Sequence, residues 1–131
     1  MFNFLINIFF ATIFTAFVDS IYLKFVALGV FKEVLGSELK SNIDLWSGFL
    51  VWFMIALGSY LFIHRHYKTI SDVILFGAIF GFILYGVYEL TNYAIFKSWT
   101  LKLVLIDLIW GVILNIIVAL YWHFVGGIFL K

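Results

Sequence analysis

Apolar residues run through this chain in four long blocks separated by three short polar stretches. The blocks cover about residues 4–26, 45–63, 73–96 and 101–124. Between them lie 31–44, which carries Lys32, Glu33, Glu38, Lys40 and Asp44, then 64–72, then the short link 97–102. A hydrocarbon core about 30 Å thick takes about 20 residues of helix, and each block is close to that length or longer. The alternation of a membrane barrel strand is missing, since the stretch 48–60 is apolar on every side. Only helices and closed barrels satisfy the backbone inside lipid. The pattern therefore predicts an all-α, integral membrane four-helix bundle, with residues 1–131 forming one four-span domain. No proline interrupts any span, and no internal repeat is visible.

Composition sharpens this picture. Of the 131 residues, 66% are hydrophobic and 11% charged, with 17 Phe, 7 Tyr and 5 Trp. Soluble domains average about 45–50% apolar and about 25% charged, so a water-soluble globule is excluded. The absence of Cys removes disulfides and thiolate chemistry. A net charge of +1 gives no basis for nucleic-acid binding. No Lys or Arg precedes the first block and no small-x-small cleavage site follows it, so the first span is expected to be retained. Four spans place both termini and the 64–72 loop on one face of the membrane, face A, and the other two connectors on face B. Arg65, Lys68 and Lys131 fall on face A, against Lys32, Lys40, Lys97 and Lys102 on face B, a slight tilt towards a cytoplasmic face B.

Three acids fall inside the proposed spans: Asp19, Glu89 and Asp107. An acid at the centre of a membrane helix costs about 2.5–3.5 kcal/mol on insertion scales, so three of them are expected to face the bundle interior. At a rise of about 1.5 Å per residue, Asp19 lies roughly 8 Å before Lys24, Glu89 roughly 12 Å before Lys97 and Asp107 roughly 8 Å after Lys102. Alternating helix direction then brings all three to a similar depth below face B. Polar neighbours share their helix faces: Thr15 and Tyr22 with Asp19, Tyr85 and Asn92 with Glu89, Trp110 and Gly111 with Asp107, and Asn115 two turns deeper. Tyr22, Tyr85, Tyr88, Asn92, Trp110 and Asn115 are the candidate ligand-binding residues, and the three acids the candidate catalytic ones. Three carboxyls close together in low dielectric cannot all stay ionised, so at least one is expected to hold a proton at neutral pH. Interhelical hydrogen bonding alone, at about 0.6 kcal/mol per bond on average, does not offset the cost of the charges.

Gly77 and Gly81 form a small-xxx-small pair that allows close backbone approach, and with Gly111 they are the expected helix-packing positions, with the third span central. Lys24 is expected either to pair with Asp19 or Glu89 or to extend to the headgroups. Trp46, Trp99 and Trp122 stand near span ends, where indoles anchor at the interface. His64, His66 and His123 share face A, but their spacing is not that of catalytic zinc helices, and no metal site is expected. No phosphate-binding glycine loop, nucleophile elbow or Ser-His-acid arrangement is present. No cofactor is expected.

The run Tyr85-Gly86-Val87-Tyr88-Glu89-Leu90-Thr91-Asn92, followed by Trp99 and by Asp107-Leu108-Ile109-Trp110-Gly111, resembles a bacterial family of membrane proteins catalogued as domain of unknown function 2177. That family carries Tyr-x-x-Tyr-Asp-Leu-Thr-Asn on its third span and Asp-x-x-Trp-Gly on its fourth. The likeness extends through Gly77–Gly81 and covers roughly residues 77–111. Two departures stand out: Glu89 replaces the usual Asp, and the first-span Asp-x-x-Trp-Leu-Gly reads Asp19-Ser20-Ile21-Tyr22-Leu23-Lys24 here. The resemblance implies a multi-pass protein of the bacterial inner (plasma) membrane and supplies no reaction.

Three functions are compatible with the sequence. The first is binding, or acting on, a membrane lipid or other apolar small molecule at a pocket opening towards face B. There a protonated carboxyl would serve as general acid and an ionised one would stabilise a cation or accept a proton. The second is a proton-coupled carrier, which needs a polar route to face A. The third is an accessory or assembly subunit that pairs with a membrane partner protein or a second copy of itself.

Overall fold

The computed structural model describes residues 2–42 and 44–126. Its first helix, α1 (Phe2–Tyr22), passes through a single π-helical turn, Leu23–Ala27, into α2 (Leu28–Leu35) and a 3-10 turn, Gly36–Glu38. Then follow α3 (Leu45–Ser59), α4 (Ile70–Ile95) and α5 (Leu101–Tyr121). Both α3 and α5 end in further π turns, Tyr60–His64 and Trp122–Gly126. The described residues contain no strand, and four helices are long and apolar enough to span a membrane: Asn3–Glu38, Leu45–His64, Ile70–Ile95 and Leu101–Gly126.

Side-chain caps set where the helices begin. The Asp44 carboxylate accepts from the backbone N–H groups of Trp46 and Ser47 at 3.1 and 3.3 Å and from the Ser47 hydroxyl at 2.8 Å, starting α3. Thr69 accepts from the Asp72 N–H and donates its hydroxyl to the Asp72 carboxylate, so α4 starts three residues before the apolar block does. Thr100 caps α5 by accepting from the Leu103 N–H.

The first connector departs most from expectation. The sequence placed residues 31–44 in a polar loop, yet the helix continues to Leu35. Its extension buries a stripe, Val30, Phe31, Val34 and Leu35, against Trp99, Leu103 and Val104, while Lys32 and Glu33 face outwards. That spacing is an amphipathic turn too short to register beside a transmembrane block. Gly36, at φ 52°, then turns the chain away. An exposed Lys102–Glu33 ion pair at 3.3 Å ties this extension to α5 and adds little to stability.

The central helix is α5, not α4. It buries Leu103, Val104, Asp107, Gly111, Leu114, Asn115, Val118 and Ala119 and packs on α1, α3 and α4. By contrast α4 rests mainly on α5 and leaves a wide face to lipid. Its small residues explain this one-sidedness, because they form a single narrow stripe. A Cβ on Gly81 would collide with the Gly111 carbonyl oxygen, one on Gly77 would come within 3.1 Å of the Ile116 Cα, and one on Gly111 would strike the Tyr85 ring. The three glycines make one seam, not a hub.

Trp122 also departs from expectation. It is fully buried, and its indole donates to the Ala56 carbonyl oxygen at 3.0 Å, joining the ends of α5 and α3, whereas Trp46 is exposed at a span end. An indole N–H removed from water needs an acceptor, and one from a neighbouring helix binds the bundle as well.

Two outcomes follow. Gly81→Ala is expected to lower stability by about 1–3 kcal/mol, the usual range for overpacking, because backbone stands where the methyl group must go; unfolding in mixed micelles measures it. Hydrogen bonds from the Ser47 hydroxyl and backbone hold the Asp44 carboxyl below the usual carboxylate range. This lowered value makes the stability from the cap complete above about pH 5 and lost as pH falls through the folded-state value. The melting-temperature gap between wild type and Asp44→Ala is therefore expected to be constant from neutral to mildly acidic pH and to close at stronger acid.

Candidate functional site

The end of α1, the start of α3, the end of α4 and the start of α5 meet below face B, and all three intramembrane acids lie there. Asp19 is 8% exposed, Asp107 6% and Glu89 0%. Each is held by aromatic donors from other parts of the chain.

Asp19 accepts two indole N–H bonds, from Trp52 on α3 to Oδ2 and from Trp110 on α5 to Oδ1, both at 2.8 Å. One carboxyl group thus joins three helices, with both of its oxygens accepting. Tyr22, one turn beyond Asp19, donates its hydroxyl to Asp107 Oδ1 at 2.5 Å. The Tyr22 ring lies flat on the Trp110 ring, with centroids 4.4 Å apart and planes 9° from parallel. The two aromatic residues therefore cross: each donates to the acid on the other's helix, and their rings stack between. Tyr85 covers Gly111, with all three carboxyls within interaction range of its hydroxyl.

Glu89 is bound differently. Its Oε2 accepts from the Trp99 indole at 2.8 Å, while Oε1, fully buried, meets no donor. The Asp107 carboxyl lies within side-chain hydrogen-bonding reach of Glu89. Two ionised carboxylates cannot hydrogen-bond to each other, so direct pairing of the two requires a proton on one of them.

The remaining candidates divide. Asn92 is half-buried one turn past Glu89, beside Tyr88, which is largely exposed. Asn115 is not brought to the acids: it lies in the α4–α5 seam, where its amide donates back to the Gly111 carbonyl oxygen at 2.8 Å and its own oxygen is unpartnered. Lys24 pairs with no acid among the described residues and stands exposed over the Phe25 ring at 5.3 Å. At the far end His64, Tyr60 and Trp122 form a triangle of mutually contacting rings.

Two members of the site were not singled out from sequence. Trp52 sits about 10 Å inside its span, too deep for an interface anchor, and an indole at that depth signals a buried acceptor. Trp99 was assigned to the headgroup layer, but the α2 extension covers it and leaves it 7% exposed, with its N–H turned onto Glu89.

The Trp110–Asp19 bond permits a direct test by a double-mutant cycle of Trp110→Phe and Asp19→Asn, read by unfolding titration in micelles. Bonds to charged groups give about 1.5–3 kcal/mol, whereas neutral interhelical bonds in lipid average about 0.6 and reach about 1.7. The expected coupling is about 2 kcal/mol or more, and a value near 0.6 would make the bond no stronger than an ordinary interhelical one.

Against known proteins, the family model described as predicted membrane protein (DUF2177) matches residues 4–125. No curated protein and no solved structure matches the chain.

Proposed function

We propose, from the premise that the chain belongs to the DUF2177 family of predicted membrane proteins, that its face B end is an intramembrane site for a lipid or other apolar small molecule, with Glu89 and Asp107 as the reacting or binding pair. The observation that carries this reading is the unpartnered Glu89 Oε1, wholly buried beside a second carboxyl. Asn7 Nδ2, Ser59 Oγ and Asn115 Oδ1 are buried without a partner as well, but Glu89 Oε1 is the carboxyl oxygen among them, and an unsatisfied buried polar atom costs about 1–3 kcal/mol. Asp19, with both oxygens taken by indoles, has the positioning role: it sets Trp110 and so the ring stack that holds Tyr22 on Asp107.

Chemically, a carboxyl pair sharing one proton can donate to a polar group that approaches it, as a general acid, while the ionised partner steadies a cation or takes a proton back. The apolar surroundings select ligands that arrive through the bilayer. A bacterial inner membrane setting, with face B towards the cytoplasm, fits this reading.

A proton path across the membrane is the weaker alternative. Asn7, Thr12, Thr15, Ser59 and Asn115 are buried polar groups towards face A. Ile8, Ala11, Ile55, Leu114, Val118 and Trp122 fill the same half as a packed apolar cluster, which favours a site closed on that side.

Two measurements on the full chain test the proposal. An apolar carbodiimide, which adds to protonated carboxyls in hydrocarbon, is expected to label Glu89 at neutral pH, and Glu89→Gln to abolish that adduct. Mass spectrometry of molecules co-purified with the protein is expected to show one enriched species that disappears in Glu89→Gln at unchanged melting temperature. Wild-type content in the Glu89→Gln, Asp107→Asn double variant would remove the reading.

A further inference from the structure

Four glycines lie buried along α4 and α5, at 77, 81, 86 and 111, and one of them has no packing role. A Cβ on Gly86 would meet only the Leu108 Cδ1, at an ordinary 3.7 Å, whereas the other three sit against backbone or a ring. A glycine inside a helix costs roughly 0.5–1 kcal/mol relative to alanine, and close approach to a neighbouring helix does not account for this one. Its effect is on the outer surface. There a groove of about 620 Å³ opens to lipid, with Phe82, Gly86, Leu90 and Ala94, spaced every four residues, along α4 and Leu108 on the α5 side. Gly86 leaves the floor of that groove low at its midpoint.

We infer that this groove seats one hydrocarbon chain of an anionic membrane lipid, whose headgroup phosphate lies at Lys97. From Phe82 to Ile95 the groove runs about 20 Å along the helix, longer than one leaflet's half of the roughly 30 Å core. Its lining is apolar apart from Thr91, and Lys97 follows two residues past its end at Ile95. Lys97 stands outside the Lys102–Glu33 ion pair, the one present among the described residues, so an uncompensated cation waits at the level of the phosphates. Glu89 and Asp107 are buried and do not line the groove; Gly86, one turn before Glu89 on α4, is the lining residue that shares a helix face with it. The inference gives the proposed function its ligand class and rests on that reading for the polar end; the groove itself stands on Gly86, the apolar lining and Lys97.

The test uses the full chain in vesicles of phosphatidylethanolamine and phosphatidylglycerol, with a trace of phosphatidylglycerol bearing a diazirine in its acyl chain. After illumination, adducts are mapped by peptide mass spectrometry. Labelling of the groove residues on α4 is expected to exceed labelling of the exposed α3 residues Leu50, Val51 and Met54 by roughly tenfold, the ratio for about 1.4 kcal/mol of preference. Gly86→Leu is expected to reduce groove labelling to the α3 level with a melting temperature equal to or above that of the wild type, and Lys97→Gln to reduce it several-fold. Equal labelling of the two faces in the wild type, undiminished groove labelling in Gly86→Leu, or α4–α4 crosslinks between copies in place of lipid adducts would each overturn the inference. Glu89→Gln separates the two readings: if groove labelling persists while the co-purified species is also retained, the groove stands and the carboxyl reading falls. If the co-purified species is lost in Glu89→Gln but groove labelling survives Gly86→Leu, the groove inference falls and the carboxyl reading stands.

Discussion

A carboxylate inside hydrocarbon has no water to accept from, so every donor it finds must come from the chain, and this requirement organises the bundle. Asp19 meets it with indoles from two other helices, Asp107 with the Tyr22 hydroxyl, and Glu89 with an indole from the link between α4 and α5. The aromatic residues are suited to the task because each brings a large apolar body and one polar hydrogen. They satisfy the acid without adding a second charge to desolvate. The face B half of the bundle thus combines these polar contacts with the apolar cluster around Trp99, while the face A half is bound by aliphatic and aromatic packing and the Trp122–Ala56 link.

The same requirement separates the acids by role. Where donors are complete, at Asp19, the group is a fastener; where they fall short, at Glu89, it retains capacity for something else. The glycine seam produces the second condition. By letting α4 and α5 approach at Gly81 and Gly111, it brings Glu89 and Asp107 beside each other higher along the same pair of helices, where α1 supplies a donor to Asp107 through Tyr22 and none to Glu89 Oε1.

Much of this was legible in the sequence, for identifiable physical reasons. Four spans followed from block length alone, since lipid enforces helices. The depths of Asp19, Glu89 and Asp107 followed from helix rise and alternating direction, and their inward orientation from the cost of exposure. Partners were harder to read. An indole near a span end serves equally as an anchor or as a donor, and only the unexpected continuation of α2 over Trp99 decides between them. That continuation was hidden because Lys32 and Glu33 break the apolar block while Val30, Phe31, Val34 and Leu35 still share a face. The central position of α5 was also hidden, because small residues advertise close contact with one neighbour and say nothing about how many neighbours a helix has.

The π turn between α1 and α2 has a geometric consequence. There the Leu28 N–H reaches back five residues, to the Leu23 carbonyl oxygen, so the helix takes in one residue more per turn than α-helical winding would. One residue of winding is about 100° of rotation. Without that extra residue, the stripe that closes over Trp99 would swing about a quarter-turn around the helix and present Lys32 or Glu33 towards the indole. The cover over Glu89 is therefore a matter of angular phase, fixed by a single surplus residue on the helix that also carries Asp19.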